Sequence, residues 1–325
     1  MNIEEFMDTV KDKLQSYYGE ECDVECNLVT KNNDQVKHGI VIRRKGKSSA
    51  PNIYVDEAFE EFIQGKSLES ITTELICLRN KCSDEVEFDA DLFGDYDWVK
   101  DRLGIKLVSR NKNVNLLNDV PHKDFSDMAV LFNVLIDDTS IGKGTILVRN
   151  EHMSMWGIST DRLYDDAVTS MMNNDPPVLQ DIVDMLVELF NKRKEGPGPV
   201  YMGMDKEELK EQIMQVSDNK CLMYVLTNQS KINGASVIVY PGMLKDVGVT
   251  MGCDYYLLPS SIHEVIIVPI HDENENGDEL SMLVREVNDN KLSPDLVLSD
   301  HAYRYHRQTN WLEPLYVERI AEQAC

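Results

Sequence analysis

A histidine beside a glutamate, just after a pair of serines, has the greatest capacity for chemistry in this sequence. The run DYYLLPSSIHEVIIVP (254–269) holds Ser260, Ser261, His263 and Glu264 within five positions. Hydroxyl, imidazole and carboxylate are the parts of a hydrolase-type site, provided they meet at hydrogen-bond distance. A zinc-protease reading needs a second histidine four residues on, and Ile267 stands there. His271 shares a strand face with His263, but eight residues of strand separate the two by roughly 26 Å. Cys253 lies about five pairs down the same hairpin, too far for a Cys-His dyad. The expected role of His263 is therefore structural: a partly buried ring at a turn, bonded to Ser261 or to the turn backbone.

Two acidic stretches invite a calcium reading. In DENENGD (272–278), Asp272, Asn274 and Asn276 fit the first half of a calcium loop. Leu283 occupies the place of the bidentate glutamate and a strand precedes the loop, so an exposed turn that caps the next helix is expected, with no metal. In SDEVEFDADLFGDYD (83–97), Phe93 falls where a ligand belongs, as does Lys100 three residues beyond the run. This reads as an acidic loop entering a short helix through Trp98. Gly142-Lys143-Gly144 is too short to cradle a phosphate, and no GxSxG elbow occurs. No cofactor is expected. Tyr303, Tyr305, His306 and Trp311 alternate along a last hairpin, a mixture of aromatic and polar groups suited to a protein contact.

These groups need elements to position them. The two apolar runs around Pro259-Ser260-Ser261 predict a β-hairpin. With Ser260-Ser261 as a two-residue turn, Leu258 faces His263 and Leu257 faces Glu264. Both hairpin faces are then mostly apolar, which places it centrally in a sheet covered on each side. Helical spacing predicts a helix over 2–18, with Asn2 and Glu5 as a capping box. Strands follow at 22–30, 36–44 and 52–55, then helices at 57–64 and 67–79. A hairpin-like pair at 128–136 and 144–148 precedes helices at 160–172 and 178–190. Beyond them come a helix capped by Asp205, strands at 221–227 and 235–240, a short helix opened by Pro241-Gly242, and a helix over 278–288. Tight-turn strands interleaved with helices predict an α+β fold, antiparallel sheets with helices packed on them.

At 325 residues the chain exceeds the usual size of a single core. The run NKRKEGPGP (191–199) is charged and then rich in glycine and proline, which makes it the expected linker. The division predicted is an N-terminal α+β domain (1–190), a linker (191–204), a C-terminal α+β domain (205–317) and a tail (318–325). Apolar content of 42% suits folded domains. No apolar run approaches the ~18 residues of a membrane span. The start, MNIEEFMDTV, lacks a secretory pattern, and seven irregularly spaced cysteines suit a reducing compartment, so a cytoplasmic location is expected. A formal charge of −24 disfavours direct nucleic-acid binding. The expected function is a non-catalytic binding or interaction module with another protein as partner. The alternatives are a hydrolase at Ser260, Ser261, His263 and Glu264, or an acidic mimic that inhibits a nucleic-acid-binding partner.

At Leu226-Thr227-Asn228, Gly234-Ala235, Tyr240-Pro241-Gly242, LPSSIHEV (258–265) and Leu298-Ser299-Asp300, the chain resembles a family of uncharacterised bacterial proteins, a domain of unknown function. The likeness covers most of the chain and is densest over 223–303. A weaker likeness is to the YtpQ-like proteins, also of unknown function. It rests on Trp156-Gly157 with the helix from Thr160, and on Ala235-Ser236-Val237-Ile238 before the Pro259 hairpin. That group's Arg-Asp pair falls near His263-Glu264, so the polar identities differ. Neither resemblance implies an activity.

Overall fold

The first helix, α1 (Ile3–Tyr18), is fixed at its start by a reciprocal cap. Asn2 Oδ1 accepts the Glu5 N–H at 2.8 Å and Glu5 Oε2 accepts the Asn2 N–H at 3.2 Å. Its stripe of Phe6, Met7, Val10 and Leu14 is buried. The cover is an antiparallel sheet of β1 (Cys22–Thr30), β2 (Val36–Arg44) and β3 (Asn52–Tyr54), in that order. Helices α2 (Asp56–Ile63) and α3 (Leu68–Lys81) complete this layer, with Ile71 and Leu75 packed among Val24, Ile40 and Ile42. The computed structural model describes residues 1–46, 50–81, 90–138, 142–182, 184–185, 223–271 and 277–317.

A second layer follows along the chain: α4 (Ala90–Gly94), α5 (Tyr96–Lys100), β4 (Leu103–Ser109), α6 (Val114–Asp119), β5 (His122–Phe125), β6 (Met128–Asp138), β7 (Gly142–Leu147), α7 (Asn150–Trp156) and α8 (Thr160–Asn174). The long strand β6 is central. It pairs with β4 on one side, and with β5 and then β7 along the other. The predicted pair at 128–136 and 144–148 is thus β6 with β7.

The remaining elements are β8 (Pro177–Asp181), β9 (Tyr224–Asn228), a 3-10 helix (Gly234–Val239), α9 (Met243–Met251), β10 (Tyr255–Ser261), β11 (Glu264–Pro269), α10 (Gly277–Lys291), a 3-10 turn (Pro294–Leu296), β12 (Tyr303–His306) and β13 (Trp311–Pro314). Six strands form one sheet in the order β13-β12-β10-β11-β9-β8, every pairing antiparallel. The fold is α+β. Hairpin β10–β11 lies at the centre of this sheet with both faces covered. Tyr255, Leu257, Val265 and Ile267 join the core shared with α8 and β6, while Tyr256, Leu258 and Val268 pack with Val284 of α10.

Three sequence expectations give way. The hairpin turns at Ile262-His263 instead of Ser260-Ser261, so Leu258 pairs with Ile266 and Leu257 with Ile267. Ser261 Oγ accepts the His263 N–H at 3.0 Å and the Ile262 N–H reaches Leu296 O at 2.9 Å, which moves the turn two residues on. In place of the strand predicted over 235–240 there is a buried 3-10 helix, Gly234–Val239, because both flanks of β9 are already taken by β8 and β11. The helix predicted over 178–190 begins as a strand: Val178 pairs with Thr227 and Leu179 with Leu226. Pro176 and Pro177 hold the entry extended, and the open edge of β9 overrides the helical spacing. The Asp205-capped helix and residues 191–204 lie outside the described residues.

Candidate binding cleft

The motif residues of the central hairpin interlock with the loop after β9. His263 Nδ1 accepts the Asn233 N–H at 3.0 Å, and Thr227 Oγ1 donates to His263 O at 2.8 Å. Asn228 Nδ2 donates to Ile232 O at 2.8 Å, closing the loop on itself. Gly234 is needed where these strands meet, because a Cβ there would lie 2.1 Å from Thr227 Oγ1 and 2.5 Å from His263 O. The half-buried ring of His263 holds its pKa below the ordinary histidine value, through burial first and the Lys106 charge second. A neutral ring is what the Asn233 bond requires, since a protonated Nδ1 cannot accept. Ser260 Oγ meets Glu264 Oε1 at 3.4 Å, and among the described residues no serine hydroxyl bonds to the His263 ring. His263 is thus a clasp for loop 228–234, with its own backbone held by Ser261.

A second serine, histidine and aspartate set meets in space without being near in sequence. Ser299 Oγ lies 3.3 Å from His301 Nδ1, and His301 Nε2 lies 3.2 Å from Asp127 Oδ2, off the N–H direction. Tyr303 donates its hydroxyl to Asp127 Oδ1 at 2.7 Å and contacts Ser299 Oγ at 3.1 Å. Burial pushes the Asp127 carboxyl up, but the close His301 ring and the Tyr303 hydroxyl outweigh it and hold the pKa below the usual range. Ser299 and His301 are buried, and Tyr316 lies against the imidazole at 4.6 Å. No substrate carbonyl can approach this serine. The set is a polar tie between the β5–β6 turn and β12.

The aromatic edge is differently placed from its sequence reading. Tyr303 and Tyr305 are both 0% exposed, so neither offers a contact surface. Tyr305 stacks on Tyr255 with centroids 4.8 Å apart. His306 is held between Glu313 (2.7 Å) and Asp254 (3.6 Å), which leaves Trp311 as the exposed member. Asp272, Asn274 and Asn276 lie outside the described residues. Among the described residues no three histidine, cysteine or acidic side chains converge as a metal site requires. No described helix is long and apolar enough to cross a membrane.

The clasped loop forms one wall of a cleft of about 740 Å³. The opposite wall is the four-stranded sheet at Gly104, Asn133, Leu135 and Thr145, with Met171 and Asp175 at the end of α8. Most charges here are already committed. Asp175 accepts the Ser230 N–H at 2.8 Å and the Ser230 hydroxyl at 2.6 Å. Arg102 donates to Trp98 O at 3.0 Å and lies over the Trp98 ring. Asn133 differs. It is 7% exposed, its Oδ1 has no hydrogen-bond partner, and its amide lies across Gly104, where any side chain would collide at 2.2 Å. An unpaired buried amide costs about 1–3 kcal/mol unless something else satisfies it. Sequence reading missed it, although one signal was present: a lone asparagine interrupts the apolar run MAVLFNVLI. Its partner strand β4 was not anticipated at all.

Fold and cleft together define an α+β protein built on antiparallel sheets, with a half-polar cleft between a strand sheet and a pinned loop. Residues 3–307 match a family of unknown function (DUF5688), and the chain belongs to that family. No curated protein and no solved structure matches it.

Proposed function

We propose that the protein is a non-catalytic binding module whose site is the Asn133 cleft. One observation supports this above the rest: a buried carboxamide with an unpartnered oxygen on the wall of a cleft whose other polar groups are mostly engaged. A carboxamide offers one acceptor and a two-proton donor, so it suits a neutral group presenting the complementary pair, as a peptide group does. Another protein is the natural source of such a group. A reducing cytosol is the compartment proposed, since seven cysteines at irregular spacing suit it better than a disulfide framework. Kinship with the YtpQ-like proteins is a proposal of the same standing, and rests on residues 156–160 and 235–238.

The hydrolase alternative at Ser260, Ser261, His263 and Glu264 has a single contact in its favour, the 3.4 Å approach of Ser260 to Glu264. The lone pair a general base would use is occupied by the Asn233 N–H.

Titration of isotope-labelled protein with N-methylacetamide, the smallest molecule with both halves of a peptide group, tests the binding reading. Resonance shifts should concentrate on the Asn133 side-chain amide and on the backbone of Gly104, Ile232 and Asn233. Shifts centred elsewhere, or spread evenly over the surface, contradict it.

A further inference from the structure

Lys106 adjoins both walls of the cleft. It stands two residues along β4 from Gly104, about 7 Å away on the same face. Across the ladder that face carries Asn133 opposite Gly104, and Leu131 opposite Lys106. From the loop side, the Lys106 charge acts on the ring of His263, and that ring holds the Asn233 N–H. Gly104 and Asn233 both line the cleft. Ile105 and Leu107 are wholly buried, whereas Lys106 keeps part of its surface exposed. Among the described residues nothing bonds to its ammonium or pairs with it. The charges that reach it are a second cation, Lys31, and Asp295. Lys31 lies over the Tyr54 ring at 4.4 Å and likewise has no carboxylate partner among the described residues. The Asp295 carboxylate accepts the Ser293 hydroxyl and forms no ion pair with either lysine. Elsewhere lysines of this acidic chain find acids readily: Lys66 is 2.6 Å from Glu74, and Lys112 is 2.7 Å from Asp300. A half-buried ammonium is costly to leave unpaired. Two such cations side by side, in a chain of charge −24, mark a local place for an anion from outside.

We propose that the cleft binds the C-terminal end of a partner's chain, its carboxylate on Lys106 with Lys31 beside it and its last peptide group on Asn133. This rests on the reading of the cleft as a binding site and names its occupant. Asn133 and Lys106 are diagonal neighbours on one face of the sheet, about 7–8 Å apart at their backbones. The Asn133 amide already leans across Gly104 toward the strand that carries Lys106. At a chain end, the last peptide group and the carboxylate stand one residue, about 3.8 Å, apart. The long lysine stem covers the remaining distance. The carboxylate and the ammonium form a charge-assisted pair, and no acid of the protein has to be displaced to make it.

The test titrates the isotope-labelled full chain with two probes of one shape, N-acetylglycine and its neutral amide, N-acetylglycinamide. On the parent, N-acetylglycine should bind about tenfold tighter, as one charge-assisted bond implies. It should also shift the Lys106 side-chain resonances together with the Asn133 amide. In Lys106→Met the two probes should bind alike, while the Asn133 shifts persist. Equal affinity of the two probes for the parent, with the Asn133 shifts intact, overturns the chain-end assignment and leaves the cleft standing. A Lys106→Met variant that keeps the full preference for N-acetylglycine overturns it too, since the carboxylate then rests elsewhere. So does inorganic phosphate that moves Lys106 as far as N-acetylglycine does at equal concentration, which marks a general anion site. Absence of Asn133 shifts with every probe, N-methylacetamide included, is instead the failure of the cleft reading itself.

Discussion

At the scale of single residues, His263 works through the proton it lacks. Its pKa is lowered in the fold, so the unfolded chain takes up that proton at a higher pH. Its contribution to stability is complete above the ordinary histidine value of about 6.5 and is lost as pH falls below it. Denaturant midpoints should therefore drop between pH 7.5 and 5.5 in the parent and change less in His263→Gln. Asp127 also has a lowered pKa, but a carboxylate loses its share only below about pH 4, so the two windows separate. Lys106 reports on the same place. Burial and the Lys31 charge lower its pKa, and no described carboxylate pairs with it. Lys106→Met should leave the midpoint unchanged or raised, and should move the His263 titration up. A lower midpoint would mean that Lys106 has a partner that stabilises its charge.

At the scale of elements, Gly234 tests whether the hairpin and the loop after β9 act as one piece. Gly234→Ala forces a Cβ against Thr227 Oγ1, His263 O and the Asn228 N–H, the last at 2.8 Å. Overpacking of this kind should cost about 1–3 kcal/mol, read as a lowered urea midpoint, and deuterium exchange should rise across 228–234. An unchanged midpoint would show that the loop moves independently. Much of this scale was legible in the sequence. The α1 cap, the β1–β2–β3 run and the central hairpin follow from local patterns that the core reinforces. What was illegible depended on distant partners. The turn at Ile262-His263 is set by Leu296, and the register of the hairpin shifts with it. Strand β8 forms because β9 offers an edge, and β9 lies beyond residues 183–222 in the chain. Asn133 could be seen as an oddity, but its missing partner is a property of the fold.

At the scale of the molecule, the first layer is tied to the rest through the tip of the β1–β2 hairpin. Asn33 and Asp34 adopt left-handed backbone (φ 60° and 49°), a conformation that asparagine and aspartate tolerate best. Asn33 donates through Nδ2 to Pro294 O (2.7 Å) and Val297 O (2.8 Å). It also exchanges two bonds with Asn113, at 2.8 and 3.0 Å. The Asp34 carboxylate accepts the Asn115 and Leu116 N–H groups, capping α6 from a distant part of the chain. The first layer keeps its own core, centred on Phe6, Ile40 and Ile71. Asn33→Ala should cost about 1–3 kcal/mol, and exchange protection should fall in β1, β2 and β3 before it falls in β4 and β6. An even loss across the whole chain would mean that the layers unfold together and that the tip is no joint.

In the function proposed above, the Asn133 amide serves a ligand and not the fold. Chemical denaturation of Asn133→Leu without any ligand tests this most directly. A group kept for binding, with no partner inside the protein, can be replaced by an apolar side chain of similar size without loss. The midpoint should equal the parent's or lie above it, and the N-methylacetamide shifts at Gly104 and Ile232 should be lost. A midpoint lowered by the equivalent of about 2 kcal/mol or more would show that Asn133 holds the sheet together and is not kept for a ligand.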